Sequence, residues 1–291
     1  MPTQRSTDLI WTVLDLIKWG TDYFRERGID SPRLTMELML CAVLSTSRIK
    51  LYADFDRPLM ADELAMLRSM VRRRAHHEPL QYILGEAHFY SLTFEVTPET
   101  LIPRPETELL VEQCIRFIKE SGSTQSCLDI GTGSGIIPIT IAAHTPGSNW
   151  TCIDISKGAL EVAQRNAERH GVADRCSFVR TDFLRDTIGE SFDVITMNPP
   201  YIPAKEVADL QEEVRDYEPH SALTDDADGL TFYRHLAKQL PTLLNPGGAA
   251  FVELGWGRVD DVKGMFDATI TAKVIDDLSS IPRVLCLFGS E

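Results

Sequence analysis

The chain has 291 residues, 43 of them acidic against 29 Lys and Arg, for a formal net charge of −14, with 43% hydrophobic and 25% charged residues. That balance is ordinary for a globular protein; it excludes disordered, collagen-like and membrane-embedded classes, and the length suits one large domain or two smaller ones. No window approaches the roughly 18 consecutive apolar residues that a spanning helix needs, and the start, MPTQRSTDLIW, lacks a basic region followed by a long apolar run, so a cytoplasmic protein is expected.

Residues 1–78 read as a small helical domain. Leu9, Ile10, Val13, Leu14, Leu16, Ile17, Tyr23 and Phe24 recur near the helical period after candidate caps at Ser6 and Thr7, and Gly28 is a natural stop. Ser31-Pro32 then reads as a cap with Pro at the first helical position, opening a run through Leu34, Leu38, Met39, Ala42 and Val43. A third helix spans about Asp62 to His77, with Leu64, Leu67, Val71 and Ala75 inward. Arg72, Arg73 and Arg74 near its end read either as a solvated helix terminus or as a contact face for a partner. Residues 79–105, punctuated by Pro79, Pro98, Pro103 and Pro105, lack helical periodicity; Ala87–Tyr90 and Leu92–Val96 make them a hairpin connector.

From Glu106 to the end, helical patterns alternate with short β-prone runs. Strands are predicted at Ser126–Ile130, Trp150–Ile153, Ser177–Arg180, Asp193–Met197, Ala249–Leu254, Lys273–Asp276 and Val284–Phe288. Helices are predicted at Glu106–Glu120, Gly135–His144, Lys157–His170, Leu230–Leu244 and Arg258–Phe266. Such alternation predicts an α/β domain over 106–291, with a largely parallel sheet covered on both faces and its ligands at the carboxyl ends of the strands. The six cysteines are scattered, with no C-x-x-C pair, and read as buried reduced thiols. Charge divides unevenly: residues 1–78 carry 12 basic and 11 acidic side chains, net +1, whereas 79–291 carry 17 and 32, net −15. A surface that acidic argues against nucleic acid as a direct partner of the second part.

Chemistry concentrates just after the predicted strands. Leu128-Asp129-Ile130-Gly131-Thr132-Gly133-Ser134-Gly135 closes the first and opens a helix. Glycines at alternate positions let the backbone turn sharply and approach a ligand, with helix-terminal amides left free. The third glycine is at 135 where a dinucleotide fingerprint needs it at 136, and G-x-x-x-x-G-K-[ST] is absent, which disfavours NAD and a P-loop. Asp154, after the second strand, could accept hydrogen bonds from both hydroxyls of a ribose or simply cap the next helix. Asp182-Phe183 follows the third strand: Asp182 could take an adenine amine and Phe183 could pack on its ring, or they are a turn Asp and a core Phe. Asn198-Pro199-Pro200-Tyr201 follows the fourth. Two prolines remove two amide donors, so the Asn198 side-chain oxygen and the Pro199 carbonyl present acceptors beside an aromatic wall, Tyr201, a site suited to a planar NH2 group on an amide, adenine or cytosine.

Together, D-x-G-x-G-x-G, the strand-end Asp and N-P-P-Y resemble the S-adenosylmethionine-dependent methyltransferases of the seven-stranded Rossmann-like class. Glu78-Pro79-Leu80-Gln81-Tyr82-Ile83-Leu84-Gly85, Thr100-Leu101-Ile102-Pro103-Arg104-Pro105-Glu106-Thr107-Glu108 and Tyr217-Glu218-Pro219-His220-Ser221-Ala222-Leu223 narrow this. They resemble the HemK-type (PrmC) glutamine N5-methyltransferases of peptide chain release factors, and the likeness spans nearly the whole chain. The resemblance implies a seven-stranded Rossmann-like catalytic domain behind a small N-terminal helical domain that docks the substrate. It implies S-adenosylmethionine as cofactor, a release factor as partner and the glutamine of its Gly-Gly-Gln motif as acceptor. On matching positions Gly131, Thr132, Gly133, Ser134, Gly135, Asp154, Asp182, Phe183 and Asn198 would form the cofactor pocket. Asn198, Pro199, Pro200 and Tyr201 would hold the glutamine, with Asn198 and Pro199 catalytic. Phe183 stands where some members carry Trp, and Gly255-Trp256 where some carry His-Gly.

Those two acceptors suit an amide nitrogen, whose lone pair is delocalised: each takes one N–H, fixing the nitrogen for in-line methyl transfer, with the proton lost afterwards. No metal is expected, since the seven histidines show no ligand spacing and His76-His77 reads as a helix end. No membrane contact is expected, and a monomer is. The rivals are a DNA adenine-N6 methyltransferase, a glutamine methyltransferase of a ribosomal protein, and a non-catalytic cofactor-binding partner of the translation machinery.

Overall fold

A computed structural model describes residues 11–122 and 125–290 and divides between Leu84 and Gly85 into two compact units. The first is helical: α1 (Val13–Arg25), α2 (Pro32–Val43), α3 (Arg48–Ala53), α4 (Ala61–Arg74) and α5 (Leu80–Leu84). Its core gathers Val13, Phe24, Met36, Met39, Leu40, Leu67 and Val71. Thr12 caps α1: its hydroxyl accepts from the Asp15 amide at 3.2 Å while the Asp15 carboxylate accepts from the Thr12 amide. This reciprocal box satisfies two orphan amides and sets the start of α1; the candidate caps Ser6 and Thr7, with Leu9 and Ile10, lie outside the described residues. Ser31 sits at the start of α2 as expected, but with a left-handed backbone and no side-chain cap, so Pro32 alone sets the start.

α4 ends at Arg74, three residues before the expected His77, and α3 and α5 were not foreseen, being too short to display a period. Arg74 is 5% exposed and donates to the Glu78 carbonyl at 2.9 Å, and Arg73 pairs with the Glu78 carboxylate. The basic triplet is therefore no free charged face: two of its three members tie down the turn that ends α4.

The second unit opens with a hairpin, β1 (Glu86–Phe89) and β2 (Leu92–Glu95), turning at Tyr90-Ser91 with both residues at positive φ. Positive φ at both central positions matches the right-handed twist of the flanking strands. Then follow α6 (Thr107–Ser121), β3 (Gln125–Ile130), α7 (Ile136–His144), β4 (Ser148–Asp154), α8 (Lys157–Arg169), β5 (Cys176–Arg180) and β6 (Phe192–Met197). After a 3-10 turn at Ala204–Asp209 come α9 (Glu212–Tyr217), α10 (His220–Leu223), α11 (Thr231–Leu243), β7 (Leu244–Glu253), α12 (Val259–Lys263), β8 (Thr271–Asp276) and β9 (Pro282–Phe288).

Seven strands form one sheet in the order β5-β4-β3-β6-β7-β9-β8, parallel except for β9, which runs antiparallel to both neighbours. Two apolar layers cover its faces, one built on α6 and α7 with Leu110, Ile139 and Trp150, the other on α11 with Tyr233, Leu236 and Leu240. All seven predicted strands are present, within a few residues at their ends. The helix expected over Arg258–Phe266 shrinks to α12, and the short turns between Ala204 and Leu223 escaped prediction because Asp, Glu and Pro interrupt any apolar period. Five cysteines are buried, Cys41 is half-buried and none is in a disulfide. Among the described residues no helix is long and apolar enough to cross a membrane.

Sheet order places β3 between β4 and β6, so the chain steps to one side of β3 through β4 and β5 and returns to the other side at β6, opening a crevice at the carboxyl end of β3, the ligand position of doubly wound sheets. Asn166, fully buried on α8, braces this end: its side chain accepts from the Glu95 amide at 2.7 Å and donates to the carbonyls of Glu95 and Ser134. One amide thereby clamps the hairpin to the glycine loop.

Candidate active site

The loop leaving β3 turns on glycines in the left-handed region, Gly131 at φ 72°, Gly133 at 54° and Gly135 at 80°. A Cβ on Gly131 or Gly133 would meet nothing within 4 Å, whereas one on Gly135 would stand 2.6 Å from Ile139 Cδ1 and 3.1 Å from Ala163 Cβ. The first two leave bare backbone toward open space; the third lets α7 approach α8. The Gly131 and Thr132 amides donate to the Ile153 carbonyl at 2.9 and 3.0 Å, and the Gly133 amide to Asp154 Oδ2 at 2.9 Å. The amides of Gly131, Thr132 and Gly133 are thus engaged within the protein, and what this stretch offers a ligand is bare backbone.

One cleft is lined by Gly131, Thr132, Gly133, Ser134, Asp154, Asp182, Phe183, Asn198 and Pro200. Gly135, Pro199 and Tyr201 are not on its wall. Asp154 accepts from the Ser156 amide at 2.9 Å on Oδ1 as well as from Gly133 on Oδ2, and burial pushes its carboxyl up from the usual range. The cap of α8 is Ser156, whose hydroxyl accepts from the Ala159 amide at 3.1 Å, so Asp154 is not the helix cap, and it lines the cleft with lone pairs to spare. Asp182 Oδ1 accepts from the Leu184 amide at 3.0 Å, the bond of a turn Asp. Phe183 is 5% exposed, lies nearly parallel to Phe232 and edge-on to His235, and presents one part of its ring to the cleft. Beneath the loop, Asp129 is buried, takes the Thr196 hydroxyl at 2.7 Å and is pushed up to about 6 by burial.

Asn198 Nδ2 donates to Thr107 Oγ1 at 3.4 Å, and Thr107 Oγ1 donates to Glu253 Oε2 at 2.6 Å. Glu253, 2% exposed at the end of β7, also receives the Tyr201 hydroxyl at 3.3 Å, and its carboxyl is pushed up to about 7, mainly by burial. Tyr201, expected to give an aromatic wall, is thus anchored at its hydroxyl by Glu253. Its ring lies on Gly255, where a Cβ would stand 3.1 Å from Cδ2, which accounts for a small residue at that position. Above the cleft, Arg104 pairs with Glu218, whose side chain is 2% exposed and whose Oε2 accepts from the Ile102 amide at 3.1 Å. Two of the segments that stood out in the sequence thus meet as one wall, contributing Pro103, Arg104, Thr107, Pro219, Ser221 and Ala222. Thr107, Glu253 and Glu218 were given no individual role from the sequence, although Thr107 and Glu218 lie in two of the segments that stood out and Glu253 lies near the end of the predicted strand Ala249–Leu254.

The residues present fit S-adenosylmethionine: an uncluttered glycine turn, a carboxylate one strand away and a flat ring beyond it surround one cleft. Residues 15–85 match the family described as the PrmC N-terminal domain, and residues 105–214 the methyltransferase small domain. The chain is 44% identical over 260 residues to a release factor glutamine methyltransferase of Geobacter sulfurreducens, covering 89% of this chain and 90% of the relative. It is 42% identical to that of Chlorobaculum tepidum, covering 95% and 97%, and 36% identical to that of Bacillus subtilis, covering 94% and 97%. Among solved structures, a methyltransferase from Pyrococcus furiosus matches with a TM-score of 0.52 at 17% identity, over 80% of this chain and 100% of that one, a likeness of fold.

Proposed function

Because this chain belongs to the release factor glutamine methyltransferases, we infer that it transfers a methyl group from S-adenosylmethionine to the N5 nitrogen of a glutamine side chain in a peptide chain release factor. The acceptor we assign is the glutamine of the Gly-Gly-Gln motif. Gly131, Thr132, Gly133, Ser134, Asp154, Asp182 and Phe183 would hold the cofactor, with Gly135 setting the loop from behind. Bound there, S-adenosylmethionine supplies an electrophilic methyl on a sulfonium.

The chain's task is to present a weak nucleophile. Asn198 and the Pro199 carbonyl each accept one N–H of the glutamine amide, fixing the direction of its nitrogen, while Pro200 contributes no donor to compete. As the new bond forms, positive charge grows on nitrogen, and these two fixed dipoles stabilise it more than they stabilise the resting amide. The proton is released once the nitrogen has become acidic. Alignment of two reactants is worth about 7–11 kcal/mol in favourable cases, ample for a site with no general base beside the nitrogen.

The observation that carries this reading is the position of Asn198 on the same cleft wall as the glycine loop. It is tested by incubating the enzyme and methyl-labelled S-adenosylmethionine with release factor, ribosomes and duplex DNA. Label is expected on the release factor; label on DNA or on a ribosomal protein overturns it. Asn198→Ala is expected to bind S-adenosylmethionine within about twofold of wild type and to lose turnover by about 100-fold or more, the scale seen when a fixed transition-state donor is removed.

The helical unit is assigned to docking the release factor, with a cytoplasmic, monomeric enzyme. In support, several large apolar side chains of that unit stand exposed, Ile49 at 85% and Met60 at 64%, and none of the six cysteines is paired.

A further inference from the structure

An asparagine side chain can present either end. Rotated by half a turn, Asn198 would aim Nδ2 at the glutamine, donor against donor, and the site would repel its own substrate. Something must therefore decide which end faces the cleft, and the loop itself supplies nothing: Pro199 and Pro200 have no N–H to donate to Oδ1. The decision is visible behind Asn198, in residues from the start of α6 and the end of β7.

Resting on the acceptor role assigned to Asn198, we propose that Thr107 and Glu253 are positioning residues that set the orientation of the Asn198 amide, so that Oδ1 faces the substrate. The argument runs from the inside outward. Glu253 is buried, and as a carboxylate it can only accept. It takes the Thr107 proton at 2.6 Å, so the Thr107 oxygen has only lone pairs left for Asn198. A lone pair calls for a donor, and Nδ2 turns toward it at 3.4 Å. Polarity thus passes down the chain from carboxylate to hydroxyl to amide, leaving Oδ1 outward as an acceptor. Tyr201, next but one to Pro199, donates its hydroxyl to the second Glu253 oxygen at 3.3 Å, and the Tyr233 hydroxyl holds the Glu253 carbonyl at 2.8 Å, so neither carboxylate oxygen is free to rotate away.

Protonation of Glu253 breaks this logic, because a carboxylic acid can donate to Thr107 and leave the hydroxyl proton for Asn198. The charged and titratable groups around Glu253 are Glu106 and Arg283, which oppose one another, and the hydroxyls of Tyr201 and Tyr233. Its carboxyl is pushed up to about 7, so turnover is expected to fall as pH drops through that value.

Isosteric variants of the full-length enzyme separate orientation from shape. Thr107→Val keeps the volume and removes the hydroxyl; Thr107→Ser keeps the hydroxyl and removes a methyl. If polarity is what counts, Val loses kcat by about tenfold or more, the worth of one well-placed hydrogen bond, while Ser stays within about threefold of wild type. Glu253→Gln offers Nε2 to Thr107 and reverses the chain, with the same loss of kcat and a flattened pH profile. S-adenosylhomocysteine affinity, read by calorimetry, is expected to stay within about twofold in all three, while affinity for release factor in its presence falls in Val and Gln only. The reverse pattern, with Val active and Ser impaired, means Thr107 is a packing residue and overturns the proposal. So does an unchanged pH profile in Glu253→Gln. Full turnover in Asn198→Ala would instead sink the acceptor role itself, and a Thr107→Val loss as large in the Asn198→Ala background as in wild type would show that Thr107 does not act through Asn198. Thermal unfolding of each variant identifies any that fail to fold; Glu253→Gln, which keeps the volume while exchanging one acceptor for a donor, then decides alone.

Discussion

A buried carboxylate with two backbone amides on it is a structural group, and the ribose role proposed for Asp154 would add a second load. Removing it leaves the Gly133 amide without its partner at 2.9 Å and the cleft without its acceptor at the end of β4. Asp154→Ala is expected to raise the dissociation constant for S-adenosylmethionine by about tenfold or more, since charge-assisted hydrogen bonds are worth roughly 1.5–3 kcal/mol. Calorimetry reads this directly, and unchanged affinity would reject the ribose role. Residues such as Asp154 and Asn198 were legible because a strand end is a local signature and the doubly wound sheet assigns it a use. Thr107 and Glu253 were not. Their meeting depends on β6 and β7 lying side by side with α6 behind them, a fact of sheet order that no local window contains. The second contact of Tyr201 was hidden for a similar reason: an aromatic in a substrate loop suggests a wall, and its hydroxyl also reaches a buried carboxylate.

At the scale of elements, the strands were the legible part. Short β-prone runs separated by amphipathic helices admit few topologies, and right-handed crossovers leave fewer. The segment from Ala204 to Leu223 was opaque because its turns are too brief for periodicity, yet it supplies the cleft wall at Pro219, Ser221 and Ala222. The loop ahead of this segment rests on one glycine. Gly229 has φ 79°, and a Cβ there would stand 2.3 Å from the Tyr201 carbonyl oxygen. Gly171, at φ 67°, would meet nothing within 4 Å. Both positions disfavour a side chain by about 1–2 kcal/mol on backbone grounds, but only at 229 must a neighbouring backbone also move. Gly229→Ala is therefore expected to destabilise more than Gly171→Ala in urea unfolding and to lower turnover as well. Equal destabilisation with full activity in both would show that the 198–203 loop does not depend on Gly229.

For the molecule as a whole, the two units differ in kind. Residues 79–291 carry net −15 and the cleft, and residues 1–78 carry net +1 with a surface holding Ile49 at 85% and Phe55 at 49% exposure. These two exposed apolar side chains are where the docking role proposed for the helical unit is tested. The double variant Ile49→Glu, Phe55→Glu is expected to raise KM for release factor by about tenfold while leaving kcat and cofactor affinity near wild type, because its effect is confined to encounter and docking. A fall in kcat at unchanged KM would assign these side chains elsewhere.

The chain of groups from Glu253 through Thr107 to Asn198 carries one more implication, in time. Thr107 and its carboxylate are 146 positions apart, and Asn198 lies 91 beyond the threonine. Contacts of such separation form late, after loop closure has been achieved across most of the domain. On the ribosome, a nascent chain that has displayed the glycine turn and even N-P-P-Y still lacks the strand that orients the amide. A chain stopped before β7 would carry the acceptor loop without the group that aims it, so the aim of the Asn198 amide is acquired after the loop itself.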